Sequence, residues 1–290
     1  MNRRRFLTQA ATAAAVAPLA RSVTAAVPGS RELIDTNVWL SHWPTRRSWA
    51  ETTEQLFAKL RRHGVTSAWT GSFDSALHSD IAGANARLAA ACVRDGDGIL
   101  VPFGAINPTL PDWEDDVRRC AEEHRMPGVR LLPNYHGYGL DDARFARLLD
   151  VASQRGLLVQ IALSMEDDRS QNPAFTAAFV SAAPLADTLE KFPAARVMLL
   201  NSTSRVLGPS TPLLQRLIKR GVLFETATLE SVAGIESLLQ KAPGVRLAFG
   251  SHAPYYYFEA ALLKLQESAL TAEQLVAIRH GHARAALARP

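Results

Sequence analysis

The chain has 290 residues, with 32 Lys and Arg against 28 Asp and Glu, and its formal net charge is +4. This charge comes from the first 26 residues, because Arg3, Arg4, Arg5 and Arg21 lie there and the chain has no acidic residue before Arg31. The remaining chain is therefore close to neutral and carries no cluster of cations. A neutral surface argues against nucleic acid or an anionic membrane as the partner.

The N-terminal segment has the composition of an export signal. Two adjacent arginines, a spacer and then Phe6 and Leu7 are followed by an alanine-rich stretch, residues 10–20, which is too short and too weakly apolar to span a bilayer. Small residues near Ala26 supply a cleavage site. We predict twin-arginine export, removal of residues 1–26, a domain over residues 27–290 and a periplasmic or secreted location. Ordinary secretion and a retained tail remain alternatives.

Cys92 and Cys120 are the two cysteines of the chain, and both lie in predicted helices. No CxxC metal site or disulfide framework is readable from them. The simplest interpretation is two small buried apolar side chains. A pairing between neighbouring helices stays open, because the predicted compartment is oxidising.

Apolar segments rich in β-branched residues recur at regular spacing and predict eight strands. They are Glu32 to Leu40, Ser67 to Phe73, Leu100 to Asn107, Val129 to Asn134, Leu157 to Leu163, Arg196 to Asn201, Val222 to Ala227 and Val245 to Ser251.

Segments with apolar residues three and four positions apart lie between these strands and predict helices. They are Trp49 to His63, Ile81 to Arg94, Trp113 to His124, Ala143 to Arg155, Phe175 to Phe192, Pro212 to Arg220, Ser231 to Lys241 and Phe258 to Ser268. A last helix is predicted over Ala272 to Leu287.

Three helix ends share one pattern, in which cations are followed by a glycine and then by a strand. The glycines are Gly64, Gly156 and Gly221. Cations suit the negative end of a helix, and glycine suits a left-handed cap. Eight such β–α units of about 30 residues predict an α/β fold with a single (β/α)8 TIM barrel. An open doubly wound sheet is the alternative, but no glycine-rich phosphate loop follows the first strand.

In a (β/α)8 barrel the chemistry lies at the C-terminal ends of the strands. The residues at these positions are polar but poor in metal ligands. Alternation places Asp35, Asn37 and Trp39 on one face of the first strand. The later strands end near Asp74, Asn107, Asn134 to Tyr138, Gln160, Ala162, Asn201, Glu225 and Ser251 to Pro254.

Three segments make the chain resemble the amidohydrolase-related barrel proteins. They are the opening Ile34-Asp35, the stretch Gly128 to Tyr138 and the stretch Phe249 to Pro254, in the expected order and at the expected strands. The resemblance covers nearly all of the chain after the predicted signal. It implies an amidohydrolase-type TIM barrel that acts on a small molecule, usually with one or two divalent metals that activate water.

The resemblance also implies that the usual metal ligands are replaced. In that family, strand one carries His-x-His, strands five and six each end in His, and strand eight ends in Gly-Ser-Asp. This chain has Asn37 and Trp39, then Ala162 and Asn201, then His252 at these positions. A catalytic zinc takes about three imidazole, thiolate or carboxylate ligands, so we expect no metal at this site and no cofactor.

A replacement catalytic set can be composed from the remaining strand ends. We predict His252 as a general base oriented by Glu225, with Asn201 as a hydrogen-bond donor to an oxyanion. The predicted substrate-binding residues are Asn37, Trp39, Asp74, Arg130, Asn134, His136 and Tyr255, with Arg130 placed to hold a substrate carboxylate. The alternative is that these groups only satisfy one another.

Three hypotheses for function follow. The first is a hydrolase or lyase that acts on a small carbonyl-containing substrate without the family's metal site. The second is a catalytically inactive barrel that serves as a periplasmic small-ligand-binding or accessory protein. The third is a rearranged metal site built from His136, Glu225, His252 and Asp74, which would have to converge on one ion. The sequence identifies no substrate and no oligomeric state.

One histidine pair is set aside. His280 and His282 form a His-x-His sequence, but they fall in a predicted helix, where residues two apart point in different directions. Packing explains this pair better than metal binding.

Overall fold

The first strand and the last meet each other, so the sheet closes on itself. The computed structural model describes residues 32–208 and 212–288, and the predicted export signal lies outside them. The backbone N–H of Thr36 donates to Phe249 O at 2.9 Å, and that of Trp39 donates to Ala253 O at 2.8 Å. These bonds, with a parallel bridge between Val38 and Ala253, join the two edges into a barrel.

The described strands are all parallel and follow one another in chain order. They are β1 (Ile34–Leu40), β2 (Ser67–Ser72), β3 (Leu100–Pro102), β4 (Gly104–Ala105), β5 (Gly128–Leu131), β6 (Leu158–Ala162), β7 (Arg196–Leu200), β8 (Leu223–Glu225) and β9 (Arg246–Ala248). The predicted α/β barrel is confirmed, with β3 and β4 together at the third strand position.

The interruption of the third strand has a local cause. Phe103, between the two halves, donates its N–H to Thr70 O at 2.8 Å, whereas Ala105 bonds the side chain of Asn85. The Asn85 amide donates to Ala105 O and accepts from Ala105 N, at 2.8 and 2.7 Å. A helix side chain therefore replaces part of the strand ladder at this point.

The described helices surround the strands. They are α1 (Thr53–Arg62), α2 (Ile81–Asp95), α3 (Trp113–Arg118), α4 (Pro133–His136), α5 (Ala143–Gln154), α6 (Leu185–Lys191), α7 (Ser204–Leu207), α8 (Pro212–Lys219), α9 (Gly234–Lys241), α10 (Phe258–Glu267), α11 (Ala272–Val276) and α12 (His282–Leu287). A 3₁₀ turn covers Phe73–Ala76, and π-helical turns cover Arg119–Glu123 and Ala277–Gly281. Within the described residues no helix is long and apolar enough to cross a membrane.

The helix predicted over Phe175 to Phe192 is wrong in its first half. Only α6 is helical there, and residues 175–184 run as a non-helical segment over the ends of the strands. The N–H of Val180 donates to Leu163 O at 2.8 Å, and the amide of Asn134 donates to Ala178 O at 2.9 Å. These tertiary bonds, with Pro184 directly before α6, replace the helix that the apolar spacing indicated.

The caps and the cysteines agree with the sequence reading. The three predicted cap glycines, Gly64, Gly156 and Gly221, have φ of 75°, 65° and 71°, as left-handed caps require. Cys92 and Cys120 are free and buried. His280 and His282 lie in the helical C-terminal segment, where His282 Nδ1 bonds Leu247 O at 2.8 Å.

Candidate functional site

A closed set of hydrogen bonds occupies the barrel axis at the C-terminal ends of the strands. The Asn37 amide donates to Asn201 Oδ1 at 2.8 Å, and the Trp39 indole donates to Asn37 Oδ1 at 2.8 Å. The Asn201 amide donates to Ser164 O at 2.6 Å. All three side chains are buried. The polar groups at these strand ends thus satisfy one another, without solvent.

Glu225 completes this network from β8. Its Oε1 accepts from the backbone N–H of Asn201 at 2.6 Å and from the Asn37 amide at 3.4 Å, and its Oε2 accepts from the backbone N–H of Ala227. Gly250 lies against the carboxylate, where a Cβ atom would collide with Oε2. Burial raises the pKa of Glu225 above its usual range. We call Asn37, Trp39, Asn201 and Glu225 the axial network.

Trp39 fills the space at the mouth of the barrel. Its ring stacks on Phe73 with centroids 5.2 Å apart, and the Arg130 guanidinium lies over it at 4.5 Å. Only 1% of the residue is exposed. The indole therefore closes the axis from the side of β1.

Arg130 lies beneath Trp39, inside the barrel. Its Nη1 donates to Val38 O at 2.7 Å, its Nη2 donates to Trp69 O at 2.8 Å, and its Nε donates to Gln160 at 2.8 Å. Burial lowers the pKa of Arg130 to about 9. The structure gives this guanidinium protein acceptors and a position in the barrel core, rather than in an open site.

His252 lies next to the axial network. Among the described residues, the structure shows no hydrogen bond between the His252 and Glu225 side chains. Its Nε2 lies 2.9 Å from Met165 O, and its ring meets the Trp39 ring edge to face at 6.2 Å. A carbonyl oxygen only accepts, so Nε2 carries the proton and Nδ1 keeps a lone pair, which has no partner in the described chain. Burial lowers the pKa of His252 to about 4, so the ring is neutral at pH 7.

An aromatic cover lies above the axial network. Trp43 contacts Phe73, Tyr135, Phe175 and Tyr255, with ring centroids 5.4 to 6.4 Å apart. Phe175 belongs to the non-helical segment that runs over the strand ends. This cover separates the axis from solvent.

The other predicted site residues lie in separate places. Asp74 lines a cavity of about 470 Å³ between α1 and α2, near Arg87. The Asn134 amide donates to Ala178 O in the non-helical segment 175–184, and His136 Nε2 bonds Ser75 O at 2.8 Å. They do not join the axial network, so the structure brings together only part of the predicted set.

An open cavity of about 410 Å³ lies beside the axis, also at the C-terminal ends of the strands. We call it the side cavity. Loops after β6, β7 and β8 form it, and α10 closes one side. Its lining includes Ser164, Met165, Glu166, Asp167, Asp168, Arg169, Phe179, Asn201, Arg205, Thr228, Glu230, Ser251, Tyr256, Ala260, Ala261 and Lys264. Asn201 thus contacts both the closed axis and the open cavity.

Two buried groups support the wall between axis and cavity. Tyr255 donates its hydroxyl to Glu166 Oε1 at 2.6 Å, while Glu166 Oε2 has no hydrogen-bond partner in the described chain. The Tyr255 and Tyr256 rings both pack against His252, at 5.2 and 5.1 Å. Tyr256, which lines the side cavity, therefore covers His252 from that side.

Lys264 brings a cation to the side cavity from α10. Its Nζ donates to Thr226 O at 3.2 Å and to Ala227 O. Partial burial lowers the pKa of this amine from its ordinary value. The sequence analysis did not predict Lys264 as a site residue, because its candidates came from the strand ends. Ala260 and Ala261 could have indicated this position. They lie four and three residues before Lys264 on one helix face, and their small side chains leave room beside the lysine.

The strand ends do not fit a divalent metal. Asn37 and Asn201 use their amides in the axial network, Trp39 occupies space, and His252 directs its protonated nitrogen at a carbonyl. No group of three His, Cys, Asp or Glu side chains in residues 32–208 and 212–288 is placed to hold a metal ion. The alternative set of His136, Glu225, His252 and Asp74 does not converge either.

The comparisons with known proteins agree with this architecture. Residues 70–200 match the family model described as Amidohydrolase, whereas none of the curated proteins matches the sequence significantly. The fold is an amidohydrolase-type TIM barrel, as the family match over residues 70–200 and the similar solved structures indicate.

Three solved structures illustrate the likeness. The 2,6-dihydroxybenzoate decarboxylase from Rhizobium is 10% identical with a TM-score of 0.69, over 89% of this chain and 99% of that one. A dihydroxybenzoic acid decarboxylase from a Polaromonas species, with manganese and the inhibitor 2-nitroresorcinol bound, is 13% identical with a TM-score of 0.69, over 88% and 96%. A TIM-barrel protein from Bordetella bronchiseptica is 15% identical with a TM-score of 0.66, over 89% and 100%. At these identities the likeness concerns the fold.

Proposed function

We propose that this protein is an exported amidohydrolase-type barrel that binds a small organic molecule in the side cavity and does not use a metal site at the barrel axis. One observation carries the proposal: the axial network and Trp39 fill the axis, while a cavity of about 410 Å³ lies open beside it. This volume is within the range of small-molecule sites, roughly 300 to 1,000 Å³.

Export is part of the proposal and is supported by the N-terminal sequence. Arg3, Arg4 and Arg5 precede Phe6 and Leu7, as in twin-arginine signals. Replacing all three arginines with lysine should keep the protein in the cytoplasm. Cell fractionation of tagged wild-type and variant proteins measures this, and equal amounts in the periplasm would contradict the twin-arginine route.

The side cavity can be blocked without disturbing the core. Ala260 is exposed, belongs to α10 and lines the cavity, so Ala260→Trp should fill the entrance. Leu263→Trp is the matched control, because Leu263 is 58% exposed on the same helix and does not line the cavity.

A screen of small organic molecules by ligand-observed NMR on the purified mature protein tests the proposal. We expect the compounds that bind the wild type to bind Leu263→Trp equally and to lose binding to Ala260→Trp. Compounds that bind both variants alike, or a screen without any binder, would overturn the assignment of the cavity.

A second candidate is a hydrolase or lyase that acts on a small carbonyl-containing substrate without metal. The lone pair on His252 Nδ1 favours it, because this nitrogen lacks a protein partner and is free to accept a proton. His252 is fully buried, so Met165 and Tyr256 would have to move before a substrate reached it.

The pH dependence of turnover tests this candidate. A base with a pKa of about 4 in the free protein is active in its neutral form, so kcat/KM should rise with pH through about 4 and then level off. His252→Gln should remove the activity on any ester, amide or carboxylate substrate that the wild type converts. Activity that survives in this variant would exclude His252 as the base.

A further inference from the structure

The cations of the side cavity differ in how they are paired. Arg169 pairs with Asp167 and Arg205 pairs with Asp168, each with N···O at 2.6 Å. Lys264 forms no ion pair with a carboxylate of the described residues, and its acceptors are the carbonyl oxygens of two residues after β8. Lys264 is therefore the cavity cation whose charge is not neutralised by direct contact.

Within the described residues, Lys264 has one N–H donor without an acceptor. An ammonium group has three N–H donors, and two of them point to Thr226 O and Ala227 O. These bonds hold the side chain in place, so little rotamer freedom is lost when the third donor binds a ligand.

The carboxylates near Lys264 do not fully compensate the burial of its ammonium group. Glu225, Glu230 and Glu267 each favour the charged amine electrostatically, without direct contact within the described chain. The Glu225 carboxylate already accepts from the backbone N–H groups of Asn201 and Ala227. The net effect on Lys264 is still a lowered pKa, because burial outweighs these carboxylates. An anion beside Nζ would offset that cost of burial.

The walls beside Lys264 are partly apolar. Phe179, Met165 and Tyr256 line the same cavity, together with Ala260 and Ala261. A ligand that satisfies both features has an anionic end and an apolar body. A neutral ligand could contact the apolar walls, but it would leave the Lys264 ammonium without a counter-charge.

We propose that Lys264 is the anion-recognising residue of the side cavity and that the cavity takes a small organic carboxylate, whose carboxylate pairs with Nζ while its apolar body lies against Phe179 and Tyr256. This inference rests on the proposed function and specifies the ligand class of the same cavity. No covalent step is involved.

The test uses two probes of nearly equal shape, 4-phenylbutanoate and 4-phenylbutanamide, with binding constants measured by NMR titration on the purified mature protein. The wild type should bind the carboxylate at least about tenfold more tightly than the amide, as expected for one charge-assisted hydrogen bond in a partly buried site. Raising the NaCl concentration should weaken only the carboxylate.

Lys264→Met keeps most of the length of the side chain and removes the charge. In this variant the preference for the carboxylate should fall to within about twofold, whereas Lys241→Met, an exposed lysine outside the cavity, should keep it. Lys264→Gln provides a second variant, since its amide can still donate to the backbone carbonyls. Unfolding midpoints of all variants show whether they are folded.

The outcomes separate the two proposals. If both probes bind and Lys264→Met leaves their ratio unchanged, the inference about Lys264 is overturned while cavity binding stands. If neither probe binds, although other compounds bind the wild type and not Ala260→Trp, the carboxylate class is overturned. If nothing responds to Ala260→Trp, the assignment of the cavity fails.

Discussion

The barrel axis and the side cavity lie next to each other at the same end of the strands, yet they differ in how their polar groups are hydrogen-bonded. At the axis, Asn37, Asn201 and Glu225 bond one another and the Trp39 ring excludes solvent. In the side cavity, Lys264 keeps a donor available beside open volume. The contrast indicates that polar strand-end residues that bond one another can become part of the core, while neighbouring loops still leave room for a ligand.

The largest expected effect comes from opening the axis. Trp39→Ala removes a buried ring and leaves Asn37 Oδ1 without its donor, so the free energy of unfolding should fall by about 4 kcal/mol. Urea denaturation measures this. Tyr257→Ala is the control, because Tyr257 is 68% exposed and its loss should cost less than about 0.5 kcal/mol. Equal effects would mean that Trp39 does not seal the axis.

The next effect concerns pH. Burial lowers the pKa of His252 from 6.5 to about 4, so between these values the unfolded chain binds a proton that the folded protein does not. Wild-type stability should therefore fall as the pH drops from 6.5 to 4, with a share of about 3 kcal/mol from this residue.

The residue at this position has a φ of 55°, which asparagine tolerates, so His252→Asn is a suitable variant. The difference in unfolding free energy between wild type and His252→Asn should shift in favour of the variant by about 3 kcal/mol from pH 7 to pH 4. His42→Asn, at an exposed histidine, should show no such shift. A difference that is independent of pH would contradict the buried neutral state of His252.

A smaller loss is expected in the axial network itself. Asn201→Ala removes the bonds to Asn37 and Ser164 and puts alanine, which tolerates the left-handed region less well than asparagine, at a φ of 54°, so about 2 to 3 kcal/mol of unfolding free energy should be lost. Asn201→Gly loses the same bonds without the backbone cost and should be about 1 kcal/mol more stable than the alanine variant. Denaturation curves that show no loss in either variant would contradict a bonded axis.

The smallest effect on stability belongs to the cavity. Ala260→Trp and Leu263→Trp both alter exposed positions of α10 and should change the unfolding free energy by less than about 0.5 kcal/mol. The two variants should nevertheless differ in ligand binding. A large loss of stability in Ala260→Trp alone would show that this side of the cavity is part of the core.

The sequence predicted the barrel well because its signals are local. Strand runs, helix periodicity and cap glycines each depend on neighbouring residues, and the eight strand positions follow from them. The segment 175–184 was predicted wrongly, because its apolar residues serve the aromatic cover and the bond from Val180 to Leu163 rather than a helix face. The third strand is likewise interrupted by a tertiary contact, because the Asn85 side chain bonds the backbone of Ala105.

The site was predicted less completely. Alternation along β1 placed Asn37 and Trp39 on one inward face, and the structure does bring them to Asn201 and Glu225. No local pattern indicated that His252 would bond Met165 O instead of Glu225, because that choice depends on a loop after β6. Lys264 was missed since its Nζ reaches the cavity only through the packing of α10.

The most direct test of the closed axis is the metal content of the purified mature protein, measured by elemental mass spectrometry before and after incubation with zinc, manganese and iron. We predict well below one equivalent of any of these metals after gel filtration, because the Asn37 and Asn201 amides and the Trp39 indole bond one another at the strand ends and are poor metal ligands. About one equivalent retained per chain would contradict the closed axis and would restore metal-assisted chemistry at the strand ends.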